Sequence, residues 1–148
     1  MASFTYNAGS KALQDGTVDW ASDTIKIMLV TDAHTPDQDH DHIDDIAGDE
    51  VSVSGYAGGF SGAGRKTLGS KTQTNDTTND RTVYDAADPS AWTLAAGETV
   101  QAAVVYWHDT DDATSIPLFY LEFATPIATN GGSLTVPFDA AGIAYTQQ

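Results

Sequence analysis

The stretch that most restricts how this chain can fold runs from Thr99 to Phe123, TVQAAVVYWHDTDDATSIPLFYLEF. Two apolar runs, VQAAVVYW and IPLFYLEF, flank the acidic segment HDTDDATS. Val, Tyr, Trp, Phe and Ile dominate both runs, and such side chains pack best on a pleated surface. Neither run is long enough to span a bilayer. Each is nearly continuously apolar rather than alternating, which is the pattern of a strand covered on both faces. The expectation is a hairpin at the centre of a sheet. Asp109, Asp111 and Asp112 stay in water at its tip, and Pro117 opens the second strand, where a missing N–H is tolerated. Ala103, Val105, Phe119 and Leu121 are predicted to be buried.

Shorter strand signals surround this hairpin. Thr24 to Thr31 (TIKIMLVT) is the clearest, with Lys26 as its only charge and one wet face at that end. Phe4 and Tyr6 alternate as in a short strand, and Gly9 to Gln14 fits one or two helical turns. Thr17 to Trp20 and Val51 to Ser54 read as short strands. Arg65 to Asn75 and Arg81 to Asp85 read as polar strands, and Ala91 to Leu94 as another. After the turn Thr129-Asn130-Gly131-Gly132, Leu134, Val136 and Phe138 alternate with Thr135 and Pro137, and the proline points to an edge strand. Seven to nine short strands separated by turns predict an all-β fold, an antiparallel sandwich or barrel with long loops, in one domain spanning 1–148. There is no internal repeat and no helix of a dozen residues.

Charge narrows the partners. The chain carries 21 acidic and 6 basic residues, a net charge of −15. Phosphate backbones and anionic lipid surfaces need clustered Lys and Arg, so neither nucleic acid nor a membrane is expected as partner. A basic protein surface is compatible with this charge. There is no Cys, so disulfides and thiolate metal sites are excluded. The opening MASFTYNAGSKAL shows no basic region followed by an apolar run, so no secretory signal is expected.

Two loops invite chemistry. Asp32 to Glu50, DAHTPDQDHDHIDDIAGDE, holds eight of the 21 acidic residues and three of the four His. Asp and His are divalent-metal ligands. Yet Asp37 to Asp45 lacks the glycine and glutamate of an EF-hand loop, and a solvated or partner-facing acidic surface is the expectation. Asp109, Asp111 and Asp112, with Thr110 and Ser115, offer Ca²⁺ ligands, but a polar hairpin tip is the simpler reading. Gly55 to Gly64, GYAGGFSGAG, has five glycines in ten residues and reads as a flexible excursion. It does not match a phosphate-binding loop, because Gly64 is followed by Arg65-Lys66. No serine sits in a G-x-S-x-G elbow, and His108 reads as a strand-end residue rather than a base. No enzyme activity, cofactor or metal is therefore expected. Trp92 and Tyr56, if exposed, offer faces for sugar rings.

Several motifs, taken together, resemble a family of small structural proteins of tailed bacteriophages. They are Asp15-Gly16-x-Val18-Asp19, the run Asp23 to Val30, and Asp39-His40-Asp41 with Asp44 and Asp45. To these add RKTLGSKTQTNDTTNDRTVYDAADPSAWTL, the Val104-Val105-Tyr106 run, the Asp109 to Ser115 turn, and Asn130-Gly131-Gly132 before the last alternating segment. The likeness covers nearly the whole chain. It implies a virion protein, made in the host cytoplasm, that decorates the head as a cement protein on the major capsid protein, as a small oligomer or as neighbouring copies. The alternative it leaves is a tail protein that is structural or binds host glycans. Aromatic anchors beside glycines, Phe4, Tyr6, Tyr56 and Phe60, are the candidate contact residues. The family supplies no catalytic residues.

Overall fold

The computed structural model describes residues 3–147. Among them it has ten strands and one α-helix, and every strand pair is antiparallel. The fold is all-β, as expected, but its sheets are open and none closes into a barrel.

The hairpin from the acidic turn is the spine. Strand β7 (Thr99–Trp107) pairs with β8 (Ile116–Ala128), which runs five residues beyond the predicted Phe123. On its other side β7 pairs with β2 (Ile25–Thr31) along that strand's full length. Two dipeptide strands, β1 (Phe4–Thr5) beside β8 and β3 (Lys66–Thr67) beside β2, complete a five-stranded sheet in the order β1-β8-β7-β2-β3. Short edge strands leave little unpaired backbone for other chains to template on.

The continuous hydrophobicity of β2 and β7 has a direct cause: both faces of this sheet carry a core. Ile25, Ile27 and Leu29 with Val100, Ala103 and Val105 join one cluster. Met28 and Val30 with Ala102, Val104 and Tyr106 join the other. Ala103, Val105 and Phe119 are fully buried, while Leu121 is half-buried against the first cluster.

The first face is covered by β-structure. The strands β4 (Thr72–Asp76), β5 (Arg81–Asp85) and β10 (Ala144–Gln147) form a three-stranded sheet in the order β10-β5-β4. Two further short strands, β6 (Trp92–Thr93) and β9 (Ser133–Leu134), form a two-stranded one. Tyr84, Trp92 and Leu134 from these sheets pack into the first cluster, beside Trp20 and Ala12. The indole N–H of Trp20 donates to the Asp85 carbonyl at 3.2 Å, and that of Trp92 donates to the Gly64 carbonyl at 2.7 Å. Each buried indole thus has its partner.

The second face is covered by loop. Segment 32–50 folds back over the sheet and drives Ile43 and Ile46 into the second cluster, with Tyr6. Full burial of an aliphatic side chain contributes about 1.5–3 kcal/mol, enough to hold an otherwise acidic segment on an apolar surface. A short 3-10 turn, Ile43–Asp45, places Ile43 inward and leaves Asp44 and Asp45 in water.

Several local expectations fail: the edge strand expected through Leu134, Val136 and Phe138 is confined to Ser133–Leu134, and three others fail for physical reasons. Thr17 to Trp20 is a run of turns, not a strand. Asp15 accepts from the Thr17 N–H and hydroxyl, and Asp19 accepts from the Ala21 N–H, so side chains satisfy the backbone in place of a ladder. Val51 to Ser54 makes no strand, because Ser52 turns its N–H and hydroxyl to the Glu98 carboxylate. Arg65 to Asn75 is two strands in two sheets, broken where Ser70 adopts a positive φ of 51°. No helix among the described residues is long and apolar enough to cross a membrane.

Candidate functional site

The loops converge at one corner of the molecule, and a single arginine joins them. Arg65 closes the glycine-rich segment and is 2 % exposed. Its guanidinium grips Glu50 at two points, Nε to Oε1 and Nη2 to Oε2, both 2.8 Å. It also grips Asp112 through Nη1 and Nη2. Glu50 ends the acidic loop and Asp112 lies in the hairpin tip, so one side chain straps three loops together. Burial alone would lower the basicity of Arg65, but the hydrogen bonds it donates to Glu50 and Asp112 outweigh it and hold the group above its ordinary value. Glu50 is further satisfied by the Tyr56 hydroxyl at 2.9 Å and the Gly59 N–H at 2.9 Å.

The glycine-rich segment is therefore a tied loop rather than a free excursion. The Gly64 N–H donates to the Ala57 carbonyl at 2.8 Å. A Cβ on Gly62 would come within 2.0 Å of the Ala57 carbonyl oxygen, so only glycine fits that turn. At its tip Phe60 is half-buried and stacks on the His108 ring at 4.2 Å between centroids. The pKa of His108 is depressed by burial, and the charges of Lys26 and Arg65 add to this.

The four predicted contact residues fall in two places. Tyr56 is 4 % exposed: its hydroxyl accepts from the Leu29 N–H at 3.1 Å and donates to Glu50. Tyr6 is fully buried. Both serve the interior, because each ring fills a gap beneath a loop that has few other apolar residues. As free surface anchors these two are corrected. Phe4 and Phe60 remain half-exposed, Phe4 stacked on Tyr120 at 4.9 Å and Phe60 on His108. Trp92, a suggested sugar platform, is buried at 2 % exposure. The exposed ring is instead Tyr145, 52 % accessible, under the Arg81 guanidinium at 4.6 Å. It borders a shallow groove of about 310 Å³ between Phe4-Tyr120 and β10.

Most carboxylates of the acidic loop point outward, the buried Glu50 excepted, and several are used close by. Asp37 accepts from the Asp39 N–H at 2.9 Å, Asp39 from the Asn7 amide at 2.6 Å, and Asp45 from the Asp41 and His42 N–H groups. At the hairpin tip Asp112 is taken by Arg65, while the Ser115 hydroxyl bridges the Asp109 N–H and the Asp111 carbonyl. Among the described residues no three His, Asp or Glu side chains are gathered as a chelating group.

Comparison with known proteins returns no match: no family model fits the chain, and no curated protein or solved structure is significantly similar.

Sequence reasoning missed Arg65 as the junction of the loops. The available signal was its scarcity: only six basic residues face 21 acids, and this one directly follows a glycine run. His34 was also missed, because nothing in the pattern of the loop separates the one inward histidine from the others.

Proposed function

We propose that this chain is a structural component of a tailed-phage virion, a decoration protein that sits on the major capsid protein lattice and stabilises the head. The observation that carries the reading is the run of motifs resembling phage structural proteins along nearly the whole chain. The geometry supports it in kind. The motifs fall on framework parts: the β2 run, the acidic loop that covers the second core face, the β7–β8 hairpin and the turn before β9. The outward carboxylates give a surface that suits docking on basic patches of a shell and keeps unassembled copies apart. A rigid, strapped set of loops lowers the ordering cost of each contact. Many copies each adding a modest free energy then hold the lattice together by multivalency. The work is mechanical, and no catalysis is assigned.

A second reading, a tail protein that binds host glycans, draws on the groove bordered by exposed Tyr145. Averaged images of purified virions separate the two. Density for this chain repeated over the capsid surface is expected, with binding that weakens as salt rises. Density confined to the tail tip would replace the first reading by the second, and absence from particles would end both.

A further inference from the structure

Within the acidic loop lies a pair of imidazoles that the packing of the fold does not explain. His34 is 3 % exposed. Its Nδ1 lies 3.1 Å from Oδ2 of Asp49, the natural position for an N–H donated to a carboxylate. With the proton on Nδ1, Nε2 carries a bare lone pair. That Nε2 is buried and has no hydrogen-bond partner. The ring of His40 stands beside it, centroids 5.7 Å apart, and its Nδ1 is likewise buried and unpartnered. An unsatisfied buried polar atom costs about 1–3 kcal/mol, and two on neighbouring rings call for a shared occupant.

We propose that His34 and His40 bind one divalent transition-metal ion of the zinc class between them, independently of any virion role. Three features favour a metal. A carboxylate on the far nitrogen is the usual device that fixes a ligating imidazole's tautomer and aims its lone pair. Asp49 supplies it for His34. Imidazole pairs suit Zn²⁺ and its neighbours better than Ca²⁺ or Mg²⁺, which seek oxygen. The spacing also fits. With a metal–nitrogen distance of about 2.0–2.1 Å, two imidazoles at a tetrahedral angle have centroids roughly 5.2 Å apart, and the observed separation needs an angle of roughly 125°. Since no third His, Asp or Glu side chain completes a chelating group among the described residues, the ion keeps positions for water or for a ligand from a neighbouring molecule.

The test uses the purified chain, metal-free, titrated with Co²⁺ as a spectroscopic probe and with Zn²⁺ by calorimetry. Saturable uptake of one ion per chain is expected, with visible Co²⁺ bands that Zn²⁺ displaces. His40→Ala, at a half-exposed position, should weaken binding at least about tenfold while leaving the far-UV spectrum unchanged. His34→Gln should do the same, and His42→Ala, in the same loop, should leave affinity as it was. Lack of saturable uptake, uptake undiminished in His40→Ala, or uptake abolished by His42→Ala alone would overturn the proposal.

Discussion

Arg65 is the residue on which the loops depend. A guanidinium can satisfy two carboxylates at once because its five N–H donors form a planar fork, and Glu50 uses that fork in two parallel bonds. Arg65→Leu would leave Glu50, whose side chain is 6 % exposed, without its counter-charge. Breaking a buried pair from one side costs about 3–5 kcal/mol, and urea unfolding should show a loss of that size. Arg65→Lys should recover only part of it, since an ammonium cannot reach both carboxylates in the same geometry. His108 gives a second test at this scale. Its pKa is lowered in the fold, so the unfolded chain takes up the proton first as pH falls through the ordinary histidine value of about 6.5. Folding stability contributed by the neutral ring is therefore full above that value and declines below it. His108→Gln should flatten the fall of the urea midpoint between about pH 7.5 and 5.5. An unchanged slope would show that His108 does not set it.

At the scale of elements, the short helix α1 (Asn7–Gln14) shows how packing reverses an intrinsic preference. It lies against β8, and its buried Gly9 faces that strand so closely that a Cβ would meet the Pro117 carbonyl at 2.5 Å and the Leu118 Cα at 2.6 Å. Alanine is the better helix former by about 1 kcal/mol, so Gly9→Ala would stabilise an isolated helix. Here the obstacle is backbone, which cannot swing away, and overpacking costs about 1–3 kcal/mol. Gly9→Ala should lower the melting temperature, and a rise would mean the helix shifts freely. The strands β7 and β2 were legible because their own residues carry the signal: continuous apolar side chains mean two covered faces. Thr17 to Trp20 was misread because alternation in four residues cannot compete with Asp15 and Asp19 bonding their own neighbours' backbone. The dipeptide strands β1, β3, β6 and β9 are pairings more than sequence elements, so their limits follow from partners distant in the chain.

For the whole molecule, the consequence of a two-faced central sheet is cooperativity. The strands β2 and β7 belong to both clusters, so neither face can open without withdrawing residues that complete the other. Trp20 and Trp92 report on the first cluster, and the tyrosines on both, Tyr56 and Tyr84 in the first and Tyr6, Tyr106 and Tyr120 in the second. Tryptophan emission and tyrosine near-UV signals should therefore change together in urea, in one transition. Separate midpoints would show that the loop-covered face unfolds on its own. The net charge of −15 sits on that same architecture from outside, since the apolar interior accepts only the paired Arg65–Glu50 and a few other polar groups.

What the sequence determined by itself was the class of fold and its spine. Period, β-branching and turn residues are local properties, and they were sufficient for an all-β chain built on Thr99–Trp107, its hairpin partner and Ile25–Thr31. That most of the acidic loop's carboxylates stay in water was also legible, because so many like charges resist burial; that Glu50 turns inward to Arg65 was not. Which aromatic rings face inward was not. Tyr6, Tyr56 and Trp92 sit beside glycines or polar residues in the chain, and only the loops folding over the sheet gave them an interior. The same holds for Arg65 and for His34 with His40. Their partners lie in other loops or on the far side of a turn, and proximity across such distances is created by tertiary packing alone.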